Sequence, residues 1–195
     1  MTGSWPVDGG RKGGRATTMA LSVLARPRLT AADAAWVRVL RDRHASGLEA
    51  PEIGPHVTLV FPTESTDATT ATGHLAVVAG ETAAFSLAFR CALPVLDPQS
   101  GGTYIYLVPD EGFSTLVRLH DRLYSGPFAD ALNLDIPYIP HITLGRIAEA
   151  KLARALADDL NSQEPEILAR LETVELFHLD RKGPARRLAE IALRG

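Results

Sequence analysis

The stretch "PHVTL" (Pro55–Leu59) recurs almost unchanged as "PHITL" (Pro140–Leu144), and this repetition decides how the chain is organised. The histidines of the two copies, His56 and His141, lie 141 − 56 = 85 residues apart. With this composition, a second chance copy of Pro-His-x-Thr-Leu has odds of roughly a few in a thousand. Because only two copies exist, the repeat indicates two related lobes rather than a tandem array.

Each copy opens a run of aliphatic and β-branched residues, which predicts a β-strand. Alternate residues of a strand share a face, about 6.6–7 Å apart along the backbone. His56 and Thr58 therefore point one way in the first copy. His141 and Thr143 do the same in the second copy. If the two lobes face each other, two imidazoles and two hydroxyls converge on the cleft between them.

This group of side chains suits chemistry at a phosphoester. With an ordinary pKa of about 6.5, one imidazole can act as general base while the other, protonated, acts as general acid. Threonine hydroxyls can donate hydrogen bonds to the non-bridging phosphate oxygens. Because two imidazoles can move both protons, the reaction needs no metal. The pattern predicts a bell-shaped pH dependence that belongs to the coupled pair.

Other readings of the same residues are less well supported. A single His-x-Thr on a strand is most often a satisfied polar pair at a sheet edge, but the duplication reverses that expectation. A metal site usually needs three protein ligands, and no Asp, Glu or Cys stands at ligand spacing from the histidines. The sequence lacks a Gly-x-Ser-x-Gly elbow and a Gly-x-x-x-x-Gly-Lys loop. A non-catalytic module that binds a nucleotide or RNA end in the same cleft stays an alternative.

The composition is that of an ordinary globular protein, with 195 residues, of which 46% are hydrophobic and 22% are charged. That length supports one sizeable core. A net charge of −3 argues against coating nucleic acid through bulk charge, but a nucleotide could still bind in a local pocket. The single cysteine, Cys91, excludes an internal disulfide. Its neighbours in "FSLAFRCAL" predict a buried core thiol.

The start of the chain differs from the rest. Residues 1–18 are rich in Gly, Thr and basic side chains without periodicity, which predicts a disordered leader. The folded domain is therefore predicted to occupy residues 19–195. A secretory signal is disfavoured because the apolar stretch "MALSVLA" is short and no small-x-small cleavage site follows it. No apolar run approaches the length of a membrane span, so we expect a cytoplasmic protein.

The predicted elements form a strand–helix–strand–helix series that occurs about twice. Thr30 and Asp33 resemble a capping box at the start of the first helix, and a second helix is predicted from Asp67 to about Gly80. The stretches "LETVELFHL" and "RRLAEIAL" near the end predict a hairpin. This order favours an α+β fold with antiparallel sheets over a doubly wound parallel sheet.

Aromatic residues offer candidates for ligand contacts. Tyr104, Tyr106 and Tyr138 could each stack on a base. Aromatic residues in strands more often lie in the core, so Tyr138, which closely precedes His141, is the best candidate. His120 lies on an otherwise apolar helix face, which predicts a packed rather than a catalytic histidine.

The sequence resembles the two-histidine (2H) phosphoesterase superfamily, and within it the bacterial 2′-5′ RNA ligase-like proteins. The motifs "PHVTLVFP" around His56 and "YIPHITLGR" around His141 carry the resemblance, in the family's order and at a suitable separation. It covers about Met19 to Leu193, although only these two motifs are specific. The resemblance implies a bilobal α+β fold with a pseudo-two-fold axis, in which two antiparallel sheets face a central cleft and helices lie outside.

The resemblance also implies an enzyme without a cofactor that opens a 2′,3′-cyclic phosphate on RNA or a nucleotide, with RNA ligation as the reverse reaction. His56 and His141 would be the acid/base pair, with the two roles left open. Thr58 and Thr143 would hold the phosphate. Arg146 resembles an arginine that often follows the second motif, which makes it a candidate ligand contact. The continuation of the first motif as "VFP" favours a nucleotide, short oligonucleotide or other cyclic phosphate over long RNA. No membrane or stable protein partner is implied.

Overall fold

The computed structural model describes residues 20–44, 53–97, 101–179 and 184–195. The predicted leader, residues 1–18, lies outside the described residues, so both it and the predicted limits of the folded domain stay predictions. Among the described residues, no helix combines the length and apolar character needed to cross a membrane.

The described chain folds into four α-helices and nine β-strands. The helices are α1 (Ala31–His44), α2 (Ala68–Gly80), α3 (Phe113–Leu123) and α4 (Ala150–Ser162). The strands are β1 (Ala20–Ala25), β2 (Arg28–Leu29), β3 (Val57–Thr63), β4 (Phe85–Leu96), β5 (Thr103–Glu111), β6 (Ile142–Ile147), β7 (Ile167–Leu171), β8 (Thr173–Leu179) and β9 (Arg186–Ala192).

The strands form two antiparallel sheets, one for each lobe. Sheet A has the order β3-β1-β8-β9, and sheet B has the order β2-β7-β4-β5-β6. The first repeat starts β3 and the second starts β6, so each sheet carries one copy on its terminal strand. The predicted α+β fold with two antiparallel sheets is confirmed.

The alternation predicted for the two repeats is present. Val57 and Leu59 are buried in the hydrophobic core, and Ile142 and Leu144 are buried in the same way on β6. Alternate side chains of these strands therefore point away from the core. The apolar positions of each motif attach the strand to the core, which leaves the histidine and threonine positions for the cleft.

Each helix packs chiefly on the strands of one sheet. Helix α1, which precedes the first repeat, packs on β6, and helix α3, which precedes the second repeat, packs on β3. Helix α2 packs against β8 and β9, and α4 packs against β4, β5 and β6. The largest cluster of buried hydrophobic residues includes residues from both sheets.

Both predicted helix starts are confirmed. The hydroxyl of Thr30 donates to the Asp33 carboxylate at 2.8 Å and accepts from the Asp33 backbone N–H at 3.2 Å. At the start of α2, the Asp67 carboxylate accepts from the backbone N–H groups of Thr69 and Thr70. These bonds satisfy amide groups that have no partner within their own helix.

Cys91 is exposed, so the prediction of a buried core thiol is wrong. Phe89 pairs with Pro109 of β5, but Cys91 pairs with the next residue, Val108. Arg90 is therefore an extra residue in β4, and this β-bulge turns Cys91 to the face opposite Phe89. Strict alternation of the kind that the sequence suggested cannot reveal such a bulge.

The hairpin expected at the end of the chain forms between β8 and β9, but its first stretch begins in the other sheet. Strand β7 belongs to sheet B and β8 to sheet A, so the chain changes sheets at Glu172. The stretch "LETVELFHL" is thus the end of one strand and the whole of the next. Strand β8 does pair with β9, as the predicted hairpin requires. The hairpin tip, residues 180–183, lies outside the described residues.

Candidate active site

The two repeated histidines are anchored in the same way. His56 donates a hydrogen bond from Nδ1 to the Gly54 carbonyl oxygen at 2.8 Å. His141 donates one from Nδ1 to the Ile139 carbonyl oxygen at 2.6 Å. A carbonyl oxygen can only accept, so each Nδ1 carries a proton, and a neutral ring has its lone pair on Nε2. Each imidazole thus has one nitrogen that can take up a proton.

The repeated proline explains this anchoring. In both copies one proline separates the accepting carbonyl from the histidine, and its ring fixes φ near about −65°. In the first copy, Gly54 has a φ of 78°, a left-handed conformation that glycine adopts without steric cost. Ile53 packs against Leu24 and Phe177 on sheet A. Backbone geometry and packing together therefore fix the segment that leads to His56.

Burial lowers the pKa of both histidines. The pKa of His141 is lowered to about 4, chiefly by burial; its bond to Ile139 raises it, and the neighbouring His56 lowers it further. Burial also lowers the pKa of His56, and nearby cations add to that effect. The influence of one ring on the other indicates that the two histidines lie close enough to interact electrostatically. Both rings are therefore neutral at pH 7 in the free protein.

We expect the stability of the protein to fall in acid because of His141. Its pKa of about 4 in the folded protein lies below the ordinary 6.5, so the unfolded chain binds more protons between these pH values. The free energy of unfolding should therefore decrease as the pH falls from about 6.5 to 4. His141 alone should account for about 3 kcal/mol of the decrease. Urea denaturation at pH 7 and at pH 4 measures this difference in the free energy of unfolding.

The matched control for this prediction is His141→Gln, which removes the titrating ring. The pKa values of His56 and His120 are also lowered by burial, and both residues remain in the variant. The difference between the two proteins therefore isolates His141. If both proteins lose the same free energy of unfolding between pH 7 and pH 4, the low pKa does not belong to His141.

The two repeated threonines have their backbone oxygens held and their hydroxyls available. The Tyr138 hydroxyl donates to the Thr58 carbonyl oxygen at 2.9 Å. Nη1 of Arg41 donates to the Thr143 carbonyl oxygen at 2.7 Å. Both threonines are partly buried. The fully buried side-chain atoms without a hydrogen-bond partner, counted over the described residues, include neither threonine hydroxyl. Both hydroxyls can therefore donate to a ligand in the cleft.

Tyr138, predicted to contact a ligand, has a structural environment of its own. Its ring stacks on His120, with centroids 3.6 Å apart and planes 5° apart, and burial raises its pKa. His120 is buried and donates from Nδ1 to the Leu59 carbonyl oxygen at 2.8 Å, as expected of a packed histidine. Tyr138 and His120 thus brace the backbone of β3. Base stacking on Tyr138 stays a prediction.

Two other tyrosines lie in a row beside His141. The Tyr106 ring stacks on the His141 imidazole, with centroids 3.4 Å apart and planes 13° apart. Tyr104 follows on the same strand, with its ring centroid 6.0 Å from that of Tyr106. The contact fixes the plane of the His141 ring, and the row extends an aromatic surface from it. Notably, β3 has no matching aromatic row on the His56 side among the described ring contacts.

Arg146 lines a cavity between residues of α1 and α4. The cavity has a volume of about 370 Å³ and is also lined by Arg43, His44 and apolar residues of α4, and neither repeated histidine lines it. Its guanidinium also lies over Gly102, where an added Cβ would approach it to 2.6 Å. The role of Arg146 as a ligand contact stays a prediction.

A buried carboxylate near His56 was not singled out from the sequence. Glu175 is only 2% exposed. Arg26 contacts it with two nitrogens, Nε at 2.6 Å and Nη2 at 2.8 Å, and Arg187 contacts it at 2.9 Å. Arg26 lowers the pKa of His56 and Glu175 raises it, so their effects oppose each other. An acidic residue inside the apolar stretch "TVELFHL" is the signal that could have revealed this network.

The arrangement combines two proton carriers with hydroxyl donors from both sheets. Among the described residues, no group of three or more His, Cys, Asp or Glu side chains could hold a metal ion. The imidazoles of the site can transfer protons, and the threonine hydroxyls can donate hydrogen bonds to an anion.

Comparisons of the sequence with known proteins identify similar proteins. The sequence model of the 2′-5′ RNA ligase superfamily matches residues 29–183. The "Putative phosphoesterase GWCH70_0799" of Geobacillus sp. (strain WCH70) is 32% identical over 137 residues, which are 65% of this chain and 69% of that protein.

Solved structures share the fold. E. coli LigT complexed with 3′-AMP has a TM-score of 0.60 and 20% identity, and the match covers 91% of this chain and 99% of LigT. TT0787 of Thermus thermophilus has the same TM-score, identity and coverage. At this identity the likeness shows the fold alone.

Proposed function

The chain belongs to the 2′-5′ RNA ligase superfamily, and from that premise we propose that it is a metal-independent phosphoesterase that opens 2′,3′-cyclic phosphates of nucleotides or RNA ends. The observation that carries the proposal is the matched pair of histidines, each with Nδ1 bound to a backbone carbonyl and Nε2 left for proton transfer. Binding alone does not need two such proton carriers. We also propose a single two-lobed domain over residues 19–195 and a cytoplasmic location.

In the proposed reaction one neutral imidazole takes a proton from water while the water oxygen attacks phosphorus. The bond from phosphorus to the 2′ or 3′ ribose oxygen breaks, and the other, protonated imidazole donates its proton to that oxygen. The product is a phosphate monoester. A ribose hydroxyl in place of water would give a new phosphodiester, which is RNA ligation. The similar anchoring of His56 and His141 leaves the acid and base roles open.

The threonine hydroxyls would act on the phosphate itself. Thr58 and Thr143 would donate hydrogen bonds to the non-bridging oxygens, on which negative charge grows in the transition state. The base of the nucleotide would lie on the aromatic row of Tyr104 and Tyr106, beside His141. Related structures support a nucleotide or phosphate ligand, because E. coli LigT has been solved with 3′-AMP, phosphate, ATP and NADP+.

We expect activity to be highest in mildly acidic solution. The pKa of His141 is about 4 and that of His56 is also lowered, so the protonated acid becomes scarcer as the pH rises. kcat/KM reports the ionisation of the free enzyme. It should peak between about pH 4 and 6.5 and fall about tenfold per pH unit above neutrality. A profile of kcat/KM from pH 4 to pH 9 measures this, and an optimum above pH 7 would contradict it.

The proposed function is tested by hydrolysis of adenosine 2′,3′-cyclic monophosphate, and of a short RNA with a cyclic phosphate end, in excess EDTA. Phosphorus NMR identifies which ester bond opens. Turnover that survives EDTA is the expected result. Turnover that EDTA abolishes would contradict metal independence. If nothing is hydrolysed but 3′-AMP binds to the wild type and not to His56→Ala, the protein is a nucleotide-binding module instead.

A further inference from the structure

Arg41 differs from every other arginine that the structure describes, because its side chain is buried. It is 8% exposed, whereas Arg38 and Arg43 on the same helix are exposed. Its position on α1 explains the burial, since this helix packs on β6. An arginine is almost never buried unless a negative charge pairs with it.

No such negative charge is present among the described residues. None of their ion pairs includes Arg41, and its hydrogen bond goes to an uncharged group, the Thr143 carbonyl oxygen. The buried carboxylate of the cleft, Glu175, is already paired with Arg26 and Arg187. Desolvation lowers the pKa of Arg41, and only the exposed neighbour Asp42 opposes it. The guanidinium therefore carries a positive charge that no described residue neutralises.

The remaining nitrogens of Arg41 face space that solvent can reach. Some side-chain atoms of the described residues are fully buried and have no hydrogen-bond partner, but no nitrogen of Arg41 is one of them. A guanidinium has five N–H donors in a flat fork, and one nitrogen is used on Thr143. The other donors can bind an anion without giving up that bond.

The location of this charge coincides with the repeated motifs. Arg41 holds the backbone of Thr143 on sheet B, and its charge also lowers the pKa of His56 on sheet A. It therefore lies within electrostatic range of both copies. Leaving a buried charge without a counterion strongly destabilises a folded protein. An apolar side chain would be more favourable at this position if the role were packing alone.

We propose that Arg41 is a phosphate-binding residue of the cleft, whose guanidinium donates to a non-bridging oxygen of a phosphodiester or phosphate monoester. The ligand supplies the missing negative charge, and the fork contacts it while Nη1 stays on Thr143. This inference rests on the proposed function for its substrate, although binding of inorganic phosphate tests it separately. Arg41 adds a full positive charge to a site in which both histidines are neutral at pH 7.

The test compares Arg41→Met with Arg38→Met, an exposed arginine on the same helix. Methionine keeps most of the length of the side chain and removes the charge. Without ligand, Arg41→Met should be at least as stable as the wild type, because a buried unpaired charge is lost. Its affinity for inorganic phosphate, measured by calorimetry, should fall about 10- to 100-fold, the loss of a charge-assisted hydrogen bond. Arg38→Met should bind phosphate like the wild type.

Two results would overturn the proposal for Arg41, and a third would distinguish its failure from failure of the proposed function. Unchanged phosphate affinity in Arg41→Met would overturn the inference, as would a large loss of stability without a loss of affinity. If Arg41→Met does not fold, Arg41→Gln replaces it, because glutamine keeps a donor to Thr143 and removes the charge. An unchanged phosphate affinity in Arg41→Gln would then overturn the inference. If the wild type hydrolyses no cyclic phosphate but Arg41→Met still loses phosphate binding, the proposed function fails while the role of Arg41 stands.

Discussion

Replacing either His56 or His141 by alanine is expected to lower kcat for opening of a 2′,3′-cyclic phosphate by about 10²- to 10⁴-fold. This is the usual range for loss of one positioned general acid or base. Each imidazole has its Nδ1 bound to a carbonyl oxygen. In the proposed reaction its Nε2 performs one of the two proton transfers. KM should change much less, because the hydroxyl donors and Arg41 remain.

The two substitutions should not be additive. In the proposed reaction, proton uptake from water and proton delivery to the leaving oxygen occur in the same step. The kcat of the double variant should therefore be only slightly lower than that of the less active single variant. His74→Gln is the matched control, because His74 lies on α2 and bonds to the Leu123 carbonyl oxygen. Full kcat in either single alanine variant would remove that histidine from the chemistry.

The second large effect is expected from the threonines. Thr58→Val and Thr143→Val should each lower kcat/KM by about 10²-fold, as is typical when one donor to a developing oxyanion is removed. Valine keeps the β-branched shape that suits a strand, so the fold should be retained. The measurement is steady-state hydrolysis of adenosine 2′,3′-cyclic monophosphate by each variant.

Thr63→Val provides the control on the same strand. The Thr63 hydroxyl accepts a hydrogen bond from the Ser65 backbone N–H in the turn after β3, away from the histidines. Its loss should leave kcat/KM unchanged. Wild-type kcat/KM in both Thr58→Val and Thr143→Val would show that the hydroxyls do not touch the reacting phosphate.

The parts of the fold that the sequence predicts well are those with a local cause. The Thr30–Asp33 capping box and the Asp67 cap mark the first turns of their helices. Alternation in the two repeats correctly places Val57 and Ile142 in the core. Patterns of this kind depend on neighbours within a few residues, so a sequence displays them directly.

The parts that were missed depend on contacts between distant segments. Cys91 is exposed because of a bulge in the pairing of β4 with β5, and pairing is not visible in one strand alone. The change of sheet at Glu172 is likewise a property of the whole topology. A strand pattern specifies which residues share a face, but it does not specify which sheet receives the strand.

The same distinction applies to the candidate site. The repeat predicts His56 and His141 as site residues, because a duplicated motif is visible in the sequence. Arg41 carries no such signal, since it is one of three arginines on α1 and only packing of that helix on β6 buries it. Tyr138 was proposed to contact a ligand, but its bond to the Thr58 backbone becomes visible only when both sheets are in place.

We propose that His56 and His141 act on one phosphate, and a crystal structure of the protein with inorganic phosphate would show whether they do. We expect a phosphate that lies within hydrogen-bond distance, roughly 2.6–3.2 Å, of Nε2 of both histidines. The hydroxyls of Thr58 and Thr143 should donate to its other oxygens. A phosphate bound elsewhere, or two Nε2 atoms too far apart to reach the same phosphate, would show that the two histidines do not act on one phosphate.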